Sequence, residues 1–471
     1  MSEFNESGAP LDRLERSPLI TGAGYRMLRR IQEHPRAPRW NYVVGDRLVA
    51  EDLEAVDRFR RTVFENRASR PGLPPPEIMD RVRMWIETIP LFLERLPRGF
   101  DLERDWVHVP TMSREDVAVR PEDIVPPQAD RSRLIVYDTS GTTGHALVVP
   151  FHPRAIAKNH ALMELVLARY GLRPEFKPGT MACINVAARA HTVVYPMVFS
   201  VWNQAGFAKV NFHPRVWPDP QNARGFFSDL APGFVTGDPV GLAEMMRWDI
   251  EVRPAALVST AVELGAGLRD RLARRYGCPV IDWYSTTETG PLAYACPAGR
   301  GMHVISPDLH VEALDPEGWP APEDQPGELA VTGGRNPFLP LLRYRTGDFG
   351  RIETGPCPCG DPMPRIMDLS GRGLVLFRAA DGSRVNPVDV GRTLRRFVLV
   401  QHEFLQRADG SCRVKIRPAP GLPPDPEAVR DALIDLFGAG AAVEVVVDEG
   451  LGRGDSDRKV VPYRSEIEAP D

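Results

Sequence analysis

A short segment made almost wholly of hydroxyl side chains and glycines could bind an anion. Residues 138–145 read Asp-Thr-Ser-Gly-Thr-Thr-Gly-His, and segments with strand character flank them at 133–137 and 146–151. Glycines let several backbone N–H groups converge and the hydroxyls add donors, which predicts a phosphate site. The Walker spacing is absent and a strand follows, so a plain polar hairpin is the alternative. The candidate phosphate ligands are Thr139, Ser140, Gly141, Thr142, Thr143 and Gly144.

Further segments follow this loop in an order that resembles the adenylate-forming superfamily of acyl-CoA synthetases, adenylation domains and luciferases. They are Asp-Trp-Tyr-Ser-Thr-Thr-Glu-Thr-Gly at 282–290, Gly-Glu-Leu-Ala-Val-Thr at 327–332, Tyr-Arg-Thr-Gly-Asp at 344–348 and Gly-Arg at 371–372. The sequence is most similar to the phenylacetate–CoA ligase branch, which also carries a Cys-x-Cys-Gly stretch like that at 357–360. The resemblance runs from about Leu134 to the end of the sequence.

The resemblance implies a ligase that activates a carboxylic acid, expected to be an aryl acid, with ATP and Mg²⁺. The carboxylate attacks the α-phosphate, pyrophosphate leaves, and the acyl-adenylate passes to CoA. The nucleophile is already an anion, so catalysis consists of positioning and of neutralising charge on phosphoryl oxygens. One alternative is transfer of the adenylate to a carrier-protein thiol or an amine in natural-product assembly. Another is a catalytically weak nucleotide-binding protein.

The same resemblance assigns roles to individual side chains. Glu288 is the expected Mg²⁺ ligand, and it follows a predicted buried strand, where α/β sheets place ligands. Thr287 is expected to reach the α-phosphate, Tyr284 to stack on adenine, and Asp348 to accept from the ribose hydroxyls. Ordinary turn carboxylates are the alternative for Glu288 and Asp348. The remaining nucleotide candidates are Asp282 and the backbone segment Ser259, Thr260 and Ala261.

The sequence departs from the family pattern at three places that concern the lid and its cations. His145 ends the phosphate loop where lysine is usual, and histidine is mostly neutral at pH 7. Arg372 is expected to contact the nucleotide from the lid side, but Leu374 stands where the family usually has Asp or Lys. Lys459 is the candidate catalytic lysine, a few positions from the family pattern, with a surface lysine as the alternative.

Aromatic residues fall where the superfamily forms its acyl pocket. His191, Tyr195 and Trp202 are the candidates for lining it. Aromatic side chains in such segments are often part of a plain hydrophobic core, which is the alternative interpretation.

Two pairs of soft ligands predict a structural zinc site. Cys357 and Cys359 flank a proline and precede a glycine, while Cys296 and His303 bracket a flexible Ala-Gly-Arg-Gly loop. A closed set of three cysteines and one histidine is the composition of a structural rather than a catalytic zinc site. Reduced thiols and a surface histidine are the alternative.

Length and composition fit a soluble globular protein, and the cytoplasm is its expected location. The 471 residues exceed one ordinary core, so two or more domains are expected. The pattern of helix and strand signals resets near 368–373, and the resemblance implies a large domain at 1–370 and a small mobile α+β domain at 371–471. Within the large domain, 1–125 is predicted to be a mostly helical lobe and 134–366 an α/β core. A net charge of −5 and the lack of an apolar run of about 18 residues argue against nucleic-acid and membrane binding. A homodimer is left open.

Helix and strand signals alternate through the central core, which favours an α/β sandwich. The predicted helices are 80–96, 152–170, 265–276 and 427–437, and the predicted strands include 278–283 and 441–447. The helix at 265–276 ends before Gly277, a typical C-terminal cap.

Overall fold

The computed structural model describes most of the chain. Its described ranges are 15–65, 72–96, 99–139, 147–189, 192–261, 263–305, 307–371, 377–385, 387–394, 396–419, 421–422, 424–451 and 463–467. No helix within these ranges is long and apolar enough to cross a membrane.

The described N-terminal part of the chain is mostly helical. Its helices are α1 (Gly22–Gln32), α2 (Ala50–Glu65), α3 (Pro76–Thr88), α4 (Pro90–Arg95) and α5 (Arg114–Val119). The prediction of one helix at 80–96 is wrong, because the chain breaks at Ile89, which has an extended backbone. Pro90 causes the break, since proline disfavours a helical conformation in the residue before it and starts helices well.

The predicted strands on either side of the candidate phosphate loop form a hairpin. Strand β1 (Ile135–Thr139) pairs antiparallel with β2 (Leu147–Phe151), and Thr139 lies opposite Leu147. The loop that joins the two strands lies outside the described residues.

The core of the molecule is one mixed sheet, which counts twelve strands among the described residues, in the order β11-β12-β13-β14-β10-β9-β8-β7-β6-β3-β5-β4. Strands β3, β5, β6, β7 and β8 are mutually parallel, so their carboxyl ends share one edge. The bounds are β3 Met181–Ala187, β4 Tyr195–Phe199, β5 Ala205–Asn211, β6 Phe234–Gly237, β7 Leu257–Thr260, β8 Val280–Thr286, β9 Gly290–Ala295, β10 Met302–Val304, β11 Leu309–Leu314, β12 Gly327–Gly333, β13 Leu341–Glu353 and β14 Arg365–Gly371.

Helices cover both faces of the parallel strands, which confirms the predicted α/β class. Helix α6 (Pro153–Arg169) packs through Leu162 and Leu165 on the face that carries Cys183 and Phe234. On the other face lie α7 (Pro220–Leu230), α8 (Pro239–Arg247) and α9 (Ala266–Tyr276), which enclose a second core. Helix α9 ends at Gly277, whose φ of 66° fits the predicted cap.

The C-terminal residues form a separate sheet with its own core. After the short strands β15 (Phe377–Arg378) and β16 (Arg384–Val385) and helix α10 (Pro387–Leu394) come β17 (Leu399–Gln406), β18 (Cys412–Pro418), α11 (Pro426–Phe437), β19 (Val443–Val447) and β20 (Tyr463–Ser465). The four-stranded order is β19-β18-β17-β20. Arg417 of β18 forms a buried ion pair with Glu244 of α8, at 2.9 Å between Nη2 and Oε1. The lid movement expected for residues 371–471 stays a prediction.

Candidate active site

Glu288 lies in a tight turn between β8 and β9. The turn is fixed locally, because Thr286 and Thr289 share a hydroxyl contact of 2.9 Å and the Thr289 N–H donates to Thr286 Oγ1 at 3.2 Å. Gly290 closes it with a φ of 70°. Glu288 is only 6% exposed, whereas the neighbouring Thr287 is exposed to solvent. The turn therefore holds one carboxylate inward and one hydroxyl outward at the carboxyl end of β8.

Two donors hold the Glu288 carboxylate. Arg114 Nη1 donates to Oε1 at 3.1 Å, and the Tyr344 hydroxyl donates to the same oxygen at 3.0 Å. Arg114 is the first residue of α5, where Ser113 and Asp116 form a capping box. A backbone bridge between Met112 and Tyr344 brings this helix start against β13. The site thus combines a buried carboxylate with a cation from the N-terminal lobe.

Asp348, the ribose candidate, is joined to the same strands. The Tyr284 hydroxyl of β8 donates to Asp348 Oδ2 of β13 at 2.7 Å. Burial and the adjacent Asp348 raise the pKa of Tyr284 well above its usual value, so the phenol stays a donor. Because Tyr344 of β13 also donates to Glu288, two tyrosine–carboxylate hydrogen bonds link β13 to β8 and to the turn that follows β8.

The predicted adenine segment lies at the carboxyl end of β7. Ser259 and Thr260 end the strand, and Ala261 follows with a φ of 73°, a strained conformation for a residue other than glycine. Ser259 lies opposite Asp282 in the sheet, and burial raises the pKa of Asp282 to about 7. These residues lie beside Tyr284, but their role in nucleotide binding stays a prediction.

One buried carboxylate binds the residues at both open ends of the hairpin that carries the predicted phosphate loop. Asp52 of α2 accepts from Arg133 Nη2 at 2.6 Å, just before β1, and from Arg154 Nε at 3.0 Å, just after β2. Burial alone would raise the pKa of Asp52, but hydrogen bonds from Arg133, the Val49 N–H and Arg154 hold it below its usual value. The N-terminal lobe therefore fixes where this hairpin sits.

Several predicted site residues lie outside the described part of the chain. These are Ser140, Gly141, Thr142, Thr143, Gly144, His145, His191, Arg372, Leu374 and Lys459. Thr139 is the last residue of β1 and so stands where the phosphate loop begins.

The candidate acyl-pocket residues Tyr195 and Trp202 lie far apart in the structure, at opposite edges of the sheet. Tyr195 starts β4 near the carboxyl ends of the parallel strands, since it lies opposite Lys209 of β5. Trp202 follows the end of β4, and β4 runs antiparallel to β5, so Trp202 lies at the opposite edge of the sheet. There it is buried, stacks on Phe176, and donates from Nε1 to Glu164 at 2.7 Å. We therefore remove Trp202 from the candidate acyl pocket.

The two predicted pairs of soft ligands lie together. Cys296 follows β9 and His303 lies in β10, and their ligand atoms and those of Cys357 and Cys359 are all within 4.8 Å of one another. The Sγ atoms of Cys296 and Cys357 are 3.5 Å apart, those of Cys357 and Cys359 are 3.4 Å apart, and His303 Nε2 is 3.1 Å from Cys359 Sγ. His303 Nδ1 contacts the Met363 carbonyl at 3.1 Å, which fixes the ring with Nε2 toward the cluster.

Arg114 and Asp52 are the site residues that the sequence did not reveal. The helix start at Ser113 is readable as a capping box, but nothing local indicates which strand end it contacts. Asp52 lies about eighty residues from Arg133 in sequence, and its partners could be found only from the fold.

The fold and site define an α/β enzyme of the adenylate-forming class. The chain belongs to the AMP-binding enzyme family, whose model matches residues 88–336. It is 24% identical over 344 residues to the phenylacetate-coenzyme A ligase of Thermus thermophilus, covering 67% of this chain and 72% of that protein. It is 35% identical over 109 residues to the Pseudomonas putida enzyme of the same name, covering 22% of this chain and 24% of that protein.

Solved structures show the same fold. The 2-hydroxyisobutyryl-CoA ligase in its postadenylation state with 2-HIB-AMP aligns with a TM-score of 0.61 at 19% identity. That alignment covers 85% of this chain and 94% of the ligase chain.

Proposed function

We propose that this protein activates a carboxylic acid as its acyl-adenylate and transfers the acyl group to CoA. Membership of the AMP-binding enzyme family and similarity to proteins named as CoA ligases support this activity. The carrying observation is the pair of carboxylates, Glu288 after β8 and Asp348 within β13, which accept hydrogen bonds from Tyr344 of β13 and Tyr284 of β8. A nucleotide bound there would meet one carboxylate at its ribose and another at its phosphates.

Mg²⁺ fits Glu288, because Mg²⁺ in nucleotide sites is held by one or two carboxylates together with phosphate oxygens and water. When bound, the ion would neutralise charge on the phosphoryl oxygens. In our proposal the exposed Thr287 hydroxyl contacts the α-phosphate, and Asp348 holds the ribose. Arg114 already lies beside Glu288 and adds a permanent positive charge, which is relevant because the phosphate loop ends in His145 rather than lysine. An aryl acid stays the acid expected from the resemblance.

The acceptor is tested by supplying the purified protein with ATP, Mg²⁺ and a panel of acids. Parallel reactions contain CoA, an acyl carrier protein or an amine. We expect AMP and acyl-CoA in equal amounts only where CoA is present. Thioester formation on the carrier protein with no acyl-CoA would favour the natural-product alternative. Tight ATP binding without turnover of any acid would favour a catalytically weak nucleotide-binding protein.

Lys459 is proposed as the cation that acts in adenylation. Replacing Lys459 with Ala should lower adenylate formation by about 10²–10³-fold, as for the loss of a preorganised charge in an active site. Reaction of a chemically supplied acyl-adenylate with CoA should remain within a few-fold of the wild-type rate. Rapid-quench assays of each half-reaction measure this, with Lys415→Ala as the control. Equal loss of both half-reactions in Lys459→Ala would contradict the assignment.

We also propose that the cluster of Cys296, His303, Cys357 and Cys359 binds a structural Zn²⁺. Four protein ligands leave no open position, and Zn–S bonds of about 2.3 Å place two sulfurs of a tetrahedral site a little under 4 Å apart. The sulfur separations of 3.4 and 3.5 Å are close to that spacing. The zinc site would connect the segment after Glu288 to the segment after Asp348. It would thereby fix the positions of β8 and β13 relative to each other.

A further inference from the structure

A row of polar side chains crosses the sheet at the carboxyl ends of the parallel strands. Lys209 lies opposite Tyr195 on one side and opposite Asn185 on the other, and Asn185 lies opposite Thr236. Side chains of directly paired residues point to the same face of a sheet. The polar row is therefore contributed by four adjacent strands and consists of Tyr195, Lys209, Asn185 and Thr236.

Further polar side chains lie between the polar row and the β8–β9 turn that carries Glu288. Thr260, at the end of β7, contacts Ser285 of β8 through their hydroxyls at 3.2 Å. Ser285 is three residues before Glu288. All six side chains are half-buried. Val258, which pairs with Thr236, is a core residue, and Thr260 lies two residues beyond it on the same strand. With Thr260 and Ser285, the polar row therefore forms a stepped path of polar side chains from the end of β8 to β4.

The position of the row marks the limit of a hydrophobic core. Two residues earlier on three of these strands, and on the same face, lie Cys183, Phe207 and Phe234, which pack in the core under α6. Alternate residues on the other face, such as Ile184 and Val235, belong to the second core. On these three neighbouring strands the side chains change from apolar to polar at directly paired positions. This alignment indicates a binding surface rather than isolated polar residues.

Lys209 stands out within the polar row because its ammonium group makes no hydrogen bond or ion pair with any described residue. The nearby Arg189 already pairs with Asp238, at 3.2 Å between Nη2 and Oδ2. Burial and the charge of Arg189 lower the pKa of Lys209, and Asp238 opposes this shift. A shielded amine without a partner is energetically costly, and an acceptor supplied by a ligand would relieve that cost.

We propose that the polar row is the acyl subsite and that the substrate acid carries a second, anionic or hydrogen-bond-accepting group that binds Lys209. This inference rests on the proposed adenylation activity. Lys209 lies four strands from Ser285, which is about 19 Å at about 4.8 Å per strand. The acid is therefore extended, with its reacting carboxylate near Glu288 and its acceptor at the far end. An acid with a wholly apolar tail would offer the Lys209 ammonium group no acceptor.

The test compares matched arylalkanoic acids of equal length whose far end is a carboxylate, a hydroxyl or a methyl group. Acid-dependent pyrophosphate release gives kcat/KM for the wild type, Lys209→Met and Lys209→Arg. We expect the wild type to favour the acceptor-bearing acids at least 10-fold over the methyl-terminated acid. Lys209→Met should lose at least 10-fold on the acceptor-bearing acids alone, as expected when a hydrogen bond to a charged group is removed. Lys209→Arg should retain most of the preference.

Lys177→Met is the matched control, because Lys177 is exposed and its ammonium group pairs with Glu175. It should behave as the wild type with every acid. A wild-type preference for the methyl-terminated acid, or an unchanged preference in Lys209→Met, would overturn the inference while leaving adenylation intact. Failure of the wild type with every acid would overturn the proposed function, and the inference with it. Thermal unfolding of Lys209→Met separates loss of folding from loss of recognition.

Discussion

Replacing Glu288 with Gln is expected to lower acid-dependent pyrophosphate release by about 10²–10³-fold, the range for removing one preorganised electrostatic group from an active site. Glutamine keeps the size of the side chain and can still accept from the Tyr344 hydroxyl, but it removes the charge that Mg²⁺ requires. The ion pair between Arg114 and this side chain would also be lost. We therefore expect kcat to fall far more than the affinity for ATP, in assays that titrate both ATP and Mg²⁺.

The matched control for this variant is Glu323→Gln, at an exposed position in the loop before β12. It should retain wild-type activity. Glu288→Gln should reduce activity far more than stability, because Thr286 and Thr289 hold the turn and glutamine can still accept from Tyr344, although the ion pair with Arg114 is lost. Thermal unfolding should therefore remain cooperative. A fully active Glu288→Gln protein would remove Glu288 from the metal site.

Replacing Cys357 with Ser is expected to release zinc and to destabilise the fold by about 4 kcal/mol, in the range typical of losing a structural metal. Cys357 lies between the sulfurs of Cys296 and Cys359, so its removal leaves three ligands that cannot close a tetrahedral site. Elemental analysis of protein purified without chelator should give about one equivalent of zinc for the wild type. Thermal unfolding, with and without added zinc, measures the loss of stability.

Cys278→Ser is the control for the zinc experiment, because Cys278 is also a buried free thiol but lies outside the cluster. It should keep its zinc even if it unfolds at a somewhat lower temperature. Less than about half an equivalent of zinc in the wild type, or unchanged stability in Cys357→Ser, would contradict the zinc proposal.

Features that depend on neighbouring residues were readable from the sequence. The cap at Gly277, the hairpin strands around the phosphate loop and the Cys357–Cys359 pair all follow from local patterns, and the structure places them accordingly. The sequence also predicted that Cys296 and His303 lie beside this pair. A glycine-containing loop separates Cys296 from His303, and a glycine follows Cys359, so the backbone can turn at both places.

Features that depend on the path of the chain were not readable. Trp202 was expected in the acyl pocket because it is aromatic and falls where the superfamily forms that pocket, but the antiparallel direction of β4 carries it to the opposite edge of the sheet. Arg114 and Asp52 contact residues at sequence separations of 174 and 81. The polar row has the same origin, since Lys209 and Asn185 become neighbours only through strand pairing.

The most direct test of adenylate formation is the exchange of labelled pyrophosphate into ATP in the presence of a carboxylic acid and the absence of CoA. Exchange requires reversible formation of an acyl-adenylate and needs neither the thioester step nor a choice of acceptor. We predict exchange that depends on both the acid and Mg²⁺, and that falls about 10²–10³-fold in Glu288→Gln. No exchange with any acid, in a protein that binds ATP and unfolds cooperatively, would contradict the proposal that this chain is an acid-activating ligase.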